Sequence, residues 1–144
     1  MCLFNPTKIN LKHDITTFKV MLQHKHTKKL IPPFYGLKKF TYVLGETSYV
    51  MDKEPILKPN GKMEEGILYS YPTKKLALEC ATFINESITY CIKFYSSSSA
   101  KDYNVVIVKC VIPKTTDYCY YDNSSSSQEY GSQALKPIRI IKKF

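Results

Sequence analysis

Residues 103–113 read YNVVIVKCVIP, and their pattern decides the fold class. The run is β-branched and apolar, which suits a pleated, buried strand. Alternation puts Val106, Val108, Cys110 and Ile112 on one face and Val105, Ile107 and Val111 on the other, with Lys109 interrupting the second. A strand that is apolar on both faces is central, with a further layer against each side. Upstream, Ala77, Cys80, Ala81, Ile84, Ile88, Cys91, Ile92 and Tyr95 recur at helical spacing, and Thr73 is placed to cap a helix starting at Lys74. Continuity of that stripe favours one helix over 74–96. The rival reading ends the helix near Asn85 and makes 88–94 a strand, because Ile88, Tyr90, Ile92 and Phe94 also alternate.

Further strands are expected at 15–22 (ITTFKVML), 39–44 (KFTYVL), 67–71 (ILYSY), 118–121 and 137–142, the last opened by Pro137 at an edge or first position. Pro55, Pro59 and Asn60–Gly61 make 46–65 a long loop, 96–102 and 122–132 read as further loops, and their serine-rich segments 96–99 and 123–128 as mobile and dispensable for folding. The expectation is a single α+β domain over 1–144. Its mixed or mainly antiparallel sheet has four to six strands, with one principal helix packed on one face. A chain of 144 residues buries about two-thirds of its surface on folding, enough for a core without staples.

The charge is basic and unevenly spread. The formal net charge is +9, from 21 Lys and Arg against 12 Asp and Glu. Residues 1–45 hold eight lysines and one acid, and 130–144 hold Lys136, Arg139, Lys142 and Lys143 with none. Two basic ends around a near-neutral middle point to one positive face for a nucleic-acid or protein partner, with Lys28, Lys29, Lys142 and Lys143 as its cations. Arg139 is the one arginine. Lysine is a point charge without arginine's planar fork, so sequence-specific DNA reading is not expected. Tyr118, Tyr120, Tyr121 and Tyr130 surround the second serine-rich stretch, and Tyr120 and Tyr130 are candidates for stacking on bases or anchoring a partner.

Chemistry-bearing motifs are sparse. There is no P-loop, GxGxxG, HExxH or GxSxG. The five cysteines form no CxxC pair. With no long apolar leader at the N-terminus, they imply a reducing, cytoplasmic setting. No apolar run approaches the roughly 20 residues of a spanning helix. His24 and His26 would share a strand face, but flanking lysines oppose a cation, so no metal and no cofactor is expected. Cys2 follows the initiator methionine; exposed by its removal, it would carry an amine beside a thiol, an arrangement used by nucleophiles.

The segments GILYSYPTKKLALECA (66–81), VVIVKCVIPK (105–114), EYGS (129–132) and PIRII (137–141), with the Met-Cys-Leu start, resemble small uncharacterised proteins of gut Bacteroidales and their phages. The matching positions are Gly66, Tyr71, Thr73, Ala77, Cys110, Ile112, Pro113, Lys114, Tyr118, Glu129, Tyr130 and Ser132. Thr115 stands where that pattern has a turn glycine, and the serine expansions are additions to it. The resemblance implies a phage-associated accessory protein and no set activity. The layout is also faintly similar to ADP-ribosyltransferase-like folds, which would give Glu129 the ribose-orienting role and place Ser70 or Tyr71 on the middle strand. Those folds need an early Arg or His as well, for which His24 and His26 are the candidates. The leading expectation is a non-enzymatic, intracellular binding protein. The alternatives are an ADP-ribosyltransferase-like enzyme and a virion or structural component.

Overall fold

Both faces of the 103–113 segment are covered, as its composition requires. The computed structural model describes residues 3–33, 41–50, 54, 62–63, 67–88, 100–124 and 127–144. In chain order these form β1 (Leu3–Phe4), β2 (Thr7–Lys8), β3 (Ile15–His24), β4 (Leu30–Ile31), β5 (Ser48–Tyr49), β6 (Lys62–Met63), β7 (Leu68–Ser70), α1 (Lys74–Glu86), β8 (Tyr103–Ile112), β9 (Cys119–Ser124), β10 (Ser127–Ser132) and β11 (Ala134–Lys143). All pairings between these strands are antiparallel. One sheet has the order β4-β3-β8-β11-β5, with β8 in the middle; the second has the order β2-β9-β10-β7, and β1 pairs with β6.

The strands are thus divided between two principal sheets, which meet at two places. Phe18 on β3 and Tyr71 just after β7 exchange backbone hydrogen bonds of 2.9 and 2.7 Å. At the other junction β10 runs into β11 through Gln133 alone, whose N–H donates to the Tyr118 carbonyl and whose side-chain amide donates to Asp117. A strand that bends from one sheet into the next lets their inner faces close on a shared core. That core holds Met21, Leu68, Val106, Val108, Cys110, Ile112, Cys119 and Leu135. On the outer face of the five-stranded sheet, Ala77, Ala81 and Ile84 of α1 pack against Val20, Leu22, Val105 and Ile107. A third cluster, Leu3, Ile67, Tyr118 and Tyr120, covers the outside of the smaller sheet. Gly131 makes room for it, since a Cβ there would stand 2.7 Å from the tips of both Leu3 and Ile67.

Three sequence expectations are corrected. The helix is interrupted at Ser87, and the part of the expected helix over 89–96 lies outside the described residues. Thr73 caps its start by accepting from the Leu76 N–H at 3.2 Å, and it closes at Ser87, whose N–H turns back to the Phe83 and Ile84 carbonyls. Ile88, again helical after the turn at Ser87, keeps to the same apolar cluster. The rival strand at 88–94 lies, beyond Ile88, outside the described residues. The strand at 39–44 reduces, in its described part, to one bridge between Tyr42 and Leu30. The 122–132 loop is a hairpin instead: β9 and β10 pair from Cys119–Ser132 to Ser124–Ser127. Serine and asparagine there hide a two-residue period in which Cys119, Tyr121 and Tyr130 turn one way and Tyr120, Asp122 and Glu129 the other. Ser124 and Ser127 are ladder residues, so that stretch is not a dispensable linker. Within 46–65, β5 pairs with Ala134 and Leu135 and β6 with β1; residues 96–99 lie outside the description. Among the described residues no helix is long and apolar enough to cross a membrane.

Candidate polyanion interface

Lys28 and Lys29 of the first basic stretch and Lys142 and Lys143 of the last lie toward the same end of the five-stranded sheet. β3 and β11 flank β8, so they run about 10 Å apart. Leu22 is paired with Val105 and His24 with Tyr103, while Lys142 and Lys143 are paired with Ile107 and Val106. The β3–β4 turn and the end of β11 therefore project at the same edge of the fold. The turn is tightly built. Lys28 adopts φ 64°, its N–H donates to the His24 carbonyl, and His24 Nδ1 accepts from the N–H groups of His26 (3.2 Å) and Thr27 (3.1 Å). His24 is thereby committed to the turn. The Lys25 N–H donates to the Asp102 carbonyl, tying the turn to the 3-10 segment Ala100–Asp102. The Phe144 N–H donates to Val105, and the Lys142 ammonium lies 5.2 Å from the Phe144 ring centroid. Lys25, Lys28, Lys29, Lys101, Lys142 and Lys143 are all exposed around this end, and Asp102 is the acid set among them. Lys25 and Lys101 were not singled out by sequence; their signal is position next to a strand end, visible only once the strands are paired.

The tyrosines are placed differently. Tyr120 is buried under Leu3 and Ile67, and its hydroxyl donates to Glu54, which also holds Lys8 at 2.7 Å. Burial pushes its phenol well up, with the Glu54 hydrogen bond adding to the shift. Tyr130 packs against the inter-sheet core and lies 4.8 Å from the Tyr121 ring. The Tyr120 ring presents no free face to a base, and the Tyr130 ring is half-buried.

Glu129 is 4% exposed, directly opposite Asp122, which is 2% exposed and accepts from the Phe4 and Ser124 N–H groups. The β10–β7 register, with Tyr130 opposite Ser70, brings Glu129 beside Tyr71. Tyr71 in turn sits against Phe18, six residues before His24 on the same strand. Six residues of strand span roughly 20 Å, so the imidazoles at 24 and 26 do not converge with Glu129. Burial holds the Tyr71 phenol protonated, far above its ordinary range. Ser70 is 1% exposed, and Cys2 lies outside the described residues. A cavity of about 560 Å³ does open on the surface, but Thr16, Phe18, Lys74, Lys109, Arg139, Ile140 and Ile141 line it, not Glu129. Among the described residues no group of three His, Cys, Asp or Glu side chains is arranged to hold a metal.

No protein-family model, curated protein or solved structure matches this chain.

Proposed function

We propose that the protein is a small, non-enzymatic accessory protein, phage-associated and intracellular, that binds nucleic acid through its lysine-rich end. The observation that carries this reading is the gathering of six exposed lysines from the β3–β4 turn, the 100–102 segment and the end of β11 toward one end of the sheet. The phage association rests on the resemblance carried by residues 66–141. Lysines attract phosphates by charge without reading bases, so binding is non-specific and driven by counterion release. Some of these charges also guard β11, whose outer edge is paired by β5 at Ala134 and Leu135. Two register shifts in β11 further discourage strand addition there. A nucleic-acid backbone suits this end better than an added strand.

The test is a salt titration of oligonucleotide binding by fluorescence anisotropy. Affinity should be micromolar at low salt and indifferent to sequence, with a log–log slope of roughly −0.9 for each duplex phosphate neutralised. Lys28→Gln, Lys29→Gln, Lys142→Gln and Lys143→Gln combined should flatten that slope by about 0.9 for each lysine seated on a phosphate. Glu129→Gln should leave it unchanged. Absence of salt-dependent binding, together with NAD turnover that disappears in Glu129→Gln, would replace this reading by the enzymatic one.

A further inference from the structure

A second cluster of cations lies on the outer face of the five-stranded sheet, away from the lysine-rich end. Lys109 and Arg139 are directly opposed across the β8–β11 ladder, and Phe18 is opposite Lys109 on β3. One row across three strands therefore reads Phe18, Lys109, Arg139. It lies in the cavity of about 560 Å³, whose remaining walls are Thr16, Ile140, Ile141 and Lys74. Lys74 is the first residue of α1, so the positive end of the helix dipole is at the same place. Among the described residues the ion pair formed is Lys8–Glu54, and none of these three cations has a carboxylate partner. Like charges set directly opposite one another destabilise a sheet, and three unpaired cations at one cavity ask for an anion of more than one charge. Register shifts fall on both sides of Arg139–Ile140, the kind of bulge that re-aims a side chain next to a binding site.

We propose that this cavity binds a phosphomonoester joined to a flat aromatic ring, as in a mononucleotide or the phosphorylated end of a nucleic-acid strand. Arg139 supplies the planar fork that takes two phosphate oxygens at once, and Lys109 and Lys74 supply point charges on either side. The Phe18 ring, with Ile141 on the same face, offers an apolar wall against which a base can stack. The volume falls within the usual range for small-molecule sites, roughly 300–1,000 Å³, and exceeds what a bare phosphate ion would fill. The site stands independently of the lysine-rich end, because none of Lys28, Lys29, Lys142 and Lys143 lines it.

The experiment is calorimetric titration of the full chain with AMP, adenosine and inorganic phosphate. AMP should bind at least about tenfold more tightly than either fragment, since each lacks one of the two contacts. Lys109→Gln and Arg139→Gln should each weaken AMP by about tenfold, the loss expected for a charged hydrogen bond. Phe18→Leu should abolish the advantage of AMP over inorganic phosphate. Lys142→Gln with Lys143→Gln should leave AMP binding as it is in wild type. Thermal unfolding of the ligand-free protein gives a second readout: Lys109→Gln should raise the melting temperature by relieving the repulsion from Arg139. Competition with a 5′-phosphorylated oligonucleotide and its 5′-hydroxyl twin identifies the source. A phosphorylated strand that displaces AMP better than its twin assigns the site to strand ends, displacement by neither assigns it to the free nucleotide, and equal displacement by both would overturn recognition of the phosphomonoester. Equal affinity for AMP and adenosine, or for AMP and inorganic phosphate, would overturn the proposal. So would wild-type AMP binding in both Lys109→Gln and Arg139→Gln. Loss of salt-dependent oligonucleotide binding with AMP binding intact would instead overturn the lysine-rich interface and leave this site standing.

Discussion

Ile107→Ala is expected to destabilise the protein by about 2–5 kcal/mol. Ile107 is fully buried in the central strand β8, on the face that α1 covers through Ala77, Ala81 and Ile84. Two of those three helix residues are alanines, with no side-chain length to spare for filling a void. Flanking Val20, Leu22 and Val105 are β-branched or held in the ladder, so the site collapses poorly and the cavity term is added to the lost transfer energy. For a chain of this size the melting temperature should fall by roughly 10 °C. Chemical denaturation of the two proteins measures it. A loss below about 1 kcal/mol would show that the helix is not packed on this face.

Lys19→Met is expected to change how stability depends on pH. Lys19 is 8% exposed, on the inner face of β3 between Thr17 and Met21. Its ammonium donates to the Tyr69 carbonyl and lies 5.7 Å from the Tyr42 ring centroid. Burial pushes its pKa from 10.5 down to about 8, although the neighbouring Cys110, Glu129 and Cys80 work the other way. Below about pH 8 the folded and unfolded chains both hold the proton, and the wild type bears the full cost of a buried charge. Between 8 and 10.5 the unfolded chain keeps a proton that the folded one has released, so wild-type stability rises with pH relative to the variant. Above that window the cost is gone. The gap corresponds to about 3 kcal/mol. The Cys119 thiol, pushed up to about 12 by burial, contributes alike to both proteins, whereas the Cys110 thiol, also pushed up to about 12, is held down in part by the Lys19 charge and rises further in the variant. Urea unfolding of both proteins at about pH 7, 9 and 10.5 tests this. Parallel stability curves would mean that the Lys19 amine reaches water.

Lys19 also shows where sequence reading stopped. ITTFKVML alternates only loosely because both faces of β3 are covered: Phe18, Val20 and Leu22 lie under the helix, and Thr17, Lys19 and Met21 turn into the space between the sheets. Read alone, Thr17 and Lys19 look solvent-facing. They are buried because the second sheet folds over them after the bend at Gln133, and the Thr17 and Ser70 hydroxyls in that space find no hydrogen-bond partner among the described residues. Lys109 is the reverse case. Its interruption of an apolar face was plain in the sequence, but its meaning needed Arg139, thirty positions on, to be placed opposite it.

From sequence alone came the α+β class, the central and doubly buried 103–113 strand, the capped start of the helix at Thr73 and the segregation of positive charge toward the two chain ends. Each is a local property: strand and helix periods, cap chemistry and charge runs act over a few neighbouring residues. Tertiary structure decided which segments pair, that β10 bends into β11 to close two sheets on one core, and that a serine-rich stretch is a hairpin. It also decided that Glu129 and Tyr120 are packed away, and that Phe18, Lys109, Arg139 and Lys74 line one cavity. Those outcomes depend on register between strands far apart in the chain, where a one-residue slip would send every side chain to the opposite face. A single sequence holds the periods of its strands but not their register, and the register is what brings these cations together.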